Sequence, residues 1–230
     1  MPVREPPVMR IRNHGKGRGY VGAKFGYRRV FNKAIPAGPK TKELISWCKT
    51  FHKMGISPLY KGGSFGNLSF RQNTAMIITA ASTALGNIKP EQVMLVSDYN
   101  QGRNKVTFGG KRKTPSSETP LHNMLYRLRP DINAVFHGHD AVVMKHAEAL
   151  GLVVTSKKQA YGTPAFFKEV LNHSKKGKYV VWKGHGICSM GKSIKEAGEN
   201  AVKIHELAEK LESKAIEIKE ARARLRKMLE

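Results

Sequence analysis

The sequence predicts an α/β fold. Stretches with apolar residues at helical spacing alternate along the chain with short apolar runs bounded by turn residues. The chain has 230 residues and 40% apolar content, enough to bury a sizeable core. It lacks the run of about 18 apolar residues that a membrane-spanning helix needs, and its N-terminus lacks the apolar centre of a signal peptide. Cys48 and Cys188 belong to no CxxC pair and read as reduced core residues of a cytoplasmic protein.

Charge sets the first segment apart. Lys and Arg number 41 against 17 Asp and Glu, for a net charge of +24, and such a field attracts polyanions. Residues 1–42 hold 11 basic residues and one acidic residue, Glu5, among six glycines and five prolines. That composition has little helix or strand propensity, so the segment reads as an extended basic arm. Tyr20, Phe25, Tyr27 and Phe31 interleave with its cations, a pattern suited to the phosphates and unpaired bases of RNA. A tail lying on its own domain, or a solvated one, fits the same composition.

Residues 43–211 read as the globular domain. In 43–54 (ELISWCKTFHKM), Leu44, Trp47, Cys48 and Phe51 share one helix face and Gly55 is the stop. Residues 75–80 and 93–96 are short apolar strands. Residues 118–128 form a helix capped by Ser116 or Ser117 and ended before Pro130. A strand over 134–139, a helix over 141–150 closed by Gly151, and a strand over 179–182 follow. From 194 to 230 apolar residues recur at 194, 197, 201, 204, 208, 211, 215 and 218, then at Leu225 and Leu229. The 3-4 spacing predicts one helix with a heptad seam, roughly 55 Å long. Its last part, 212–230, would extend beyond the domain.

Three clusters carry chemistry. His137 and His139 flank Gly138, and in a strand residues i and i+2 face the same side. His185, between Gly184 and Gly186 in a tight turn, offers a third imidazole. Three histidines plus an open position is the pattern of a catalytic zinc site. Second, Pro115-Ser116-Ser117-Glu118 puts two hydroxyls at a helix N-terminus, which suits a phosphate as well as an ordinary cap. A Glu118 carboxylate kept ionised by the helix dipole can serve as metal ligand or general base. Third, the glycine-rich stretch 62–69 (GGSFGNLS) allows close backbone approach to an anion but has neither a P-loop ending nor GxGxxG.

Together these residues resemble the class II aldolase/adducin family over about 44–211. The resemblance rests on GNLSFR (66–71), ITAASTALGNI (78–88), PSSETPLHNMLYRLRPDINAVFHGHD (115–140), YGT (161–163) and GHGICSMGKSIKEA (184–197). It implies an α/β/α sandwich around a mostly antiparallel sheet, in place of the βαβ units that simple alternation suggests. It implies Zn2+ held by His137, His139 and His185, with Glu118 as fourth ligand or catalytic base. It also implies a substrate-phosphate site from Gly66, Asn67, Ser116 and Ser117, and a cytoplasmic homo-oligomer, often a tetramer. The implied reaction breaks or forms a carbon–carbon bond in a ketose phosphate, as in fuculose-phosphate aldolases, with Glu118 moving the proton.

Three features depart from the family pattern. The phosphate segment reads Ile78-Thr79-Ala80-Ala81-Ser82, with a serine and a glycine displaced or lost. No counterpart of the proton-donor tyrosine is found between His139 and Tyr161, nor any tyrosine after Tyr179. The arm and the tail lie outside the pattern. A second reading follows from them: an aldolase scaffold serving as an RNA-binding or ribonucleoprotein component through residues 1–42.

Overall fold

The structure, a computed structural model, describes residues 25–229. In chain order the elements are β1 (Gly26–Phe31), α1 (Pro39–Lys53), β2 (Leu59–Tyr60), β3 (Gly63–Ser64), β4 (Asn67–Gln72), β5 (Ala75–Thr79), β6 (Val93–Asn100), β7 (Lys105–Gly109), α2 (Thr119–Leu128), β8 (Ala134–Gly138), α3 (Ala141–Leu150), β9 (Val153–Val154), α4 (Pro164–His173), β10 (Tyr179–Trp182), β11 (Gly186–Gly191), α5 (Ile194–Glu212) and α6 (Ile218–Leu229). Nine strands form one sheet in the order β1-β7-β6-β5-β4-β8-β11-β10-β9. Only its two outermost pairs, β1 with β7 and β10 with β9, run parallel. The mainly antiparallel sheet is the one expected.

Strand alternation sorts the core into two layers. Leu68, Phe70, Ala134 and Phe136 point to one face and pack with Leu44 and Phe51 of α1, Val143 of α3, Ile204 of α5 and Leu225 of α6. Val135, Val180, Trp182 and Cys188 point to the other and pack with Leu121 and Leu125 of α2 and Phe166 of α4. The result is an α/β/α sandwich. Both cysteines are free and buried. Among the described residues no helix is long and apolar enough to cross a membrane.

Three local expectations are corrected. The single helix over 194–230 is two. α5 ends at Glu212, Lys214 takes a left-handed φ of 56°, and α6 turns back to bury Ala221 and Leu225 against the core. The seam is satisfied within the chain, by Ala197, Ala201, Ile204 and Ala208 against the sheet and then by α6. α2 begins at Thr119 with Glu118 at its N-cap, and neither serine caps it in the ordinary way. Instead Ser116 organises the turn: its Oγ accepts from Glu118 N–H at 3.3 Å and its carbonyl accepts from Thr119 N–H at 3.1 Å.

The third correction concerns the arm, whose residues 1–24 lie outside the described residues. Residues 26–31 are not an irregular extension but the edge strand β1, and α1 already begins at Pro39. Phe25 is buried, Tyr27 meets Phe108 edge-on at 5.8 Å, and Phe31 covers the bare Cα of Gly109. These aromatics pack on the chain's own sheet.

Candidate metal centre and active site

His137 lies in the middle of the sheet on β8, directed to the α2/α4 face and fully buried. Its Nδ1 lies 2.8 Å from the Ile187 carbonyl, which can only accept, so Nδ1 carries the proton and Nε2 the lone pair. His139 lies just past the strand end, its N–H bonded to Ile56 O at 2.8 Å. His185 sits in the turn between β10 and β11, where Gly184 has a φ of 70°. Gly186 is required next to it: a Cβ there would lie 2.7 Å from His137 Cε1 and 2.4 Å from Gly138 O. One nitrogen from each of the three histidines falls within 4.8 Å of the others, and among the described residues this is the one group with metal-ligand spacing.

Glu118 closes the group from the start of α2. Its Oε1 is 3.0 Å from His185 Nε2 and its Oε2 is 3.3 Å from His137 Nε2. Burial alone would raise this carboxyl. The hydrogen bonds from His185 Nε2 at 3.0 Å and from Asn67 Nδ2, which donates to Oε2 at 2.5 Å, act against burial, and the carboxyl is held well below the usual carboxylate range. Burial also pushes His137 far down and His139 down to about 4, leaving neutral rings with lone pairs to offer.

These residues fit a divalent cation. His137 Nε2 is buried with no hydrogen-bond partner and faces a carboxylate oxygen. Two acceptors at that distance repel unless a positive charge lies between them. Three imidazoles and a carboxylate are the donor set that zinc takes.

The proposed phosphate residues gather at the same place. Gly66, Asn67, Ser116, Ser117, Glu118, His137 and His139 line a cleft of about 80 Å³ together with the segment from Ala80 to Thr83. Gly66 has a φ of 100°, and a Cβ there would stand 2.5 Å from His137 O, so the close approach demands glycine. Asn67 lines the same cleft, and its Nδ2 donates to Glu118 Oε2 and so positions the carboxylate.

Several neighbours escaped the sequence reading. Tyr161 stacks on His185 with ring centroids 5.1 Å apart and donates its phenol proton to Ser117 Oγ at 2.9 Å. Trp182 stacks under His137 at 4.5 Å, and Phe65 stacks on His139 at 4.9 Å. YGT carried part of the resemblance, but no local signal shows that Tyr161 reaches the serine corner. Lys113 donates from Nζ to Ser82 O at 2.5 Å and to Thr83 Oγ1 at 3.3 Å, behind the cleft.

Behind Glu118, one turn along α2, the buried His122 Nδ1 lies 2.8 Å from Ser69 Oγ, which is 2.8 Å from Tyr126 OH. Burial pushes His122 from 6.5 down to about 4. A histidine whose folded pKa is depressed contributes full stability above its unfolded pKa, and this is lost as pH falls toward the folded value. Between pH 7 and pH 5 this group should therefore cost the fold about 2 kcal/mol. We predict that His122→Gln reduces the pH 7 to pH 5 drop in urea-unfolding free energy by that amount. An identical drop in the variant would contradict the burial argument.

The chain belongs to the class II aldolase and adducin family: the family's N-terminal domain matches residues 42–211. It is 39% identical over 114 residues to a methylthioribulose-1-phosphate dehydratase of Yersinia pestis, covering 48% of this chain and 47% of the relative. It is 33% identical over 98 residues to a 5-methylthioribulose-1-phosphate/5-deoxyribulose-1-phosphate aldolase of Escherichia coli, covering 43% and 41%. The matches thus span less than half the length of these relatives. In structure it is similar to an L-fuculose-1-phosphate aldolase from Thermus thermophilus. The TM-score is 0.60 at 18% identity, over 76% of this chain and 93% of that one. This likeness supports the shared fold.

Proposed function

We propose that this chain is a zinc-dependent lyase that cleaves or forms a carbon–carbon bond in a ketose phosphate. The observation that carries the reading is the buried Glu118 carboxylate facing two of three convergent imidazoles at the mouth of a glycine- and serine-lined cleft. His137, His139 and His185 would hold the metal, which when bound supplies a Lewis acid for the substrate carbonyl. Glu118 stands where a proton must be moved at the carbon beside that carbonyl, and as a carboxylate it has a lone pair that can accept one. Gly66, Ser116 and Ser117 line the end of the cleft assigned to the phosphate. Tyr161, bonded to Ser117, orients that corner. The proposal includes a cytoplasmic homo-oligomer, with a tetramer favoured.

A second reading, loss of water from the ketose phosphate, is favoured by the similarity to methylthioribulose-1-phosphate dehydratases. The same carboxylate would take the proton beside the carbonyl, and a carbon–oxygen bond would break instead. NMR of the products from 5-deoxyribulose 1-phosphate and from methylthioribulose 1-phosphate separates the two. Dihydroxyacetone phosphate plus an aldehyde is the expected result. A single phosphorylated product lacking one water would replace cleavage with dehydration, and no conversion of either would overturn the enzyme reading.

A further inference from the structure

We propose that β1 is a brace for the active-site cleft: Arg29 and Asn32 hold the segment 110–113, and Lys113 passes that constraint to the loop from Ala81 to Thr83. β1 lies before the span that matches the family, which begins at residue 42.

The links are continuous. The half-buried Arg29 lies 4.8 Å above the Phe108 ring, and its guanidinium donates to three carbonyls: Gly110, Arg112 at 3.0 Å and Lys113 at 2.7 Å. Asn32 Oδ1 accepts from Arg112 N–H at 2.8 Å, and Phe31 O accepts from Gly110 N–H at 3.2 Å. From the segment so fixed, Lys113 Nζ donates to the Ala81 and Ser82 carbonyls and to Thr83 Oγ1, at 3.5, 2.5 and 3.3 Å. Thr114 O accepts from Ala81 N–H at 2.9 Å, and Ser116 N–H donates to Thr79 O at 3.1 Å. The wall at 81–83 is therefore tied to β1 through Lys113 and Thr114, while Ser116 of the other wall is tied to the end of β5.

Backbone strain shows why a brace is needed. Ser82 and Arg112 adopt left-handed φ values of 52° and 60°. Neither is glycine, and such conformations persist only when their surroundings hold them. Both sit at nodes of this chain of bonds: Lys113 grips Ser82 O, while Arg29 and Asn32 grip Arg112 from its two sides. The segment that departs most from the family's phosphate pattern, 78–82, is thus the one held from outside the family domain. An arginine suits the first link because its planar fork serves several acceptors at once, which a lysine does not. Arg29 and Lys113 are positioning residues.

That the loop faces substrate phosphate rests on the proposed function; the brace itself does not. Arg29→Met removes the three carbonyl bonds and keeps an apolar stem against Phe108. Lys113→Met breaks the next link and leaves β1 whole, so it carries the test if the first variant loosens the sheet edge. In the full-length protein, amide hydrogen exchange at Ala81 is expected to speed up roughly tenfold or more in each variant, with β8 and α5 unchanged. KM for the ketose phosphate should rise about tenfold while kcat stays within about twofold and zinc content is unaltered. The double variant should resemble the more severe single one, because the residues act in series. Wild-type exchange rates at Ala81 in both variants would overturn the brace, as would a fall in kcat at unchanged KM. If the wild type turned over no ketose phosphate, the proposed function would fail, while the exchange rates would still decide the brace.

Discussion

Glu118→Gln is expected to lower kcat on a ketose phosphate by about 10²–10⁴-fold, the usual worth of a positioned acid–base group. The fold and most of the zinc should be retained. The substitution is nearly isosteric, and the amide oxygen can still accept from Asn67 Nδ2 as the carboxylate does at 2.5 Å. Zinc retention follows because the three imidazoles remain. What is lost is the ability to take and return a proton from a fully buried position. Because the effect lies on a proton transfer, KM should change far less than kcat. An unchanged kcat in an active preparation would remove Glu118 from the mechanism.

His139→Ala should abolish turnover by stripping the metal, from about one ion per chain to nearly none, since only two of the three imidazoles would remain to hold it. His139 is the better choice for this test than His137. The His137 ring is wholly buried between Trp182 and His185 and bonded to Ile187 O, so its removal would also open a cavity in the sheet. His139 lies past the end of β8, its ring stacked on Phe65, and its backbone bond to Ile56 O is kept by alanine. Circular dichroism should show the native fold, with plasma emission spectrometry reporting the metal. Full zinc occupancy in the folded variant would contradict the assignment.

How much of this was legible in the sequence depended on range. The histidine pair one residue apart in an apolar strand, and the glycine-flanked His185 after another, are local patterns, and they point to the site directly. α3 and β10 fall at the residues that their periodicity predicts, because their boundaries are set by local stops such as Gly151. The C-terminal helix failed for a physical reason. A 3-4 apolar seam looks the same whether the helix runs straight or folds back on itself, and the break at Ser213 and Lys214 carries neither glycine nor proline. The arm misled through composition. Its glycines argued against a strand, although Phe25, Tyr27, Arg29 and Phe31 alternate as a strand requires, and three of them pack on Phe108 or Gly109. The contacts of Tyr161 with Ser117 and of Lys113 with Ser82 join residues 44 and 31 positions apart. No spacing rule reaches across such separations.

One metal ion, held by three histidines beside Glu118, is proposed to make this chain a lyase for a ketose phosphate. The most direct measurement is a zinc titration of the metal-free full-length protein while the disappearance of 5-deoxyribulose 1-phosphate is followed by phosphorus NMR. We predict no turnover before addition and a linear rise that breaks at one zinc per chain. Turnover that is undiminished in the metal-free protein, or absent at every zinc concentration, would contradict it.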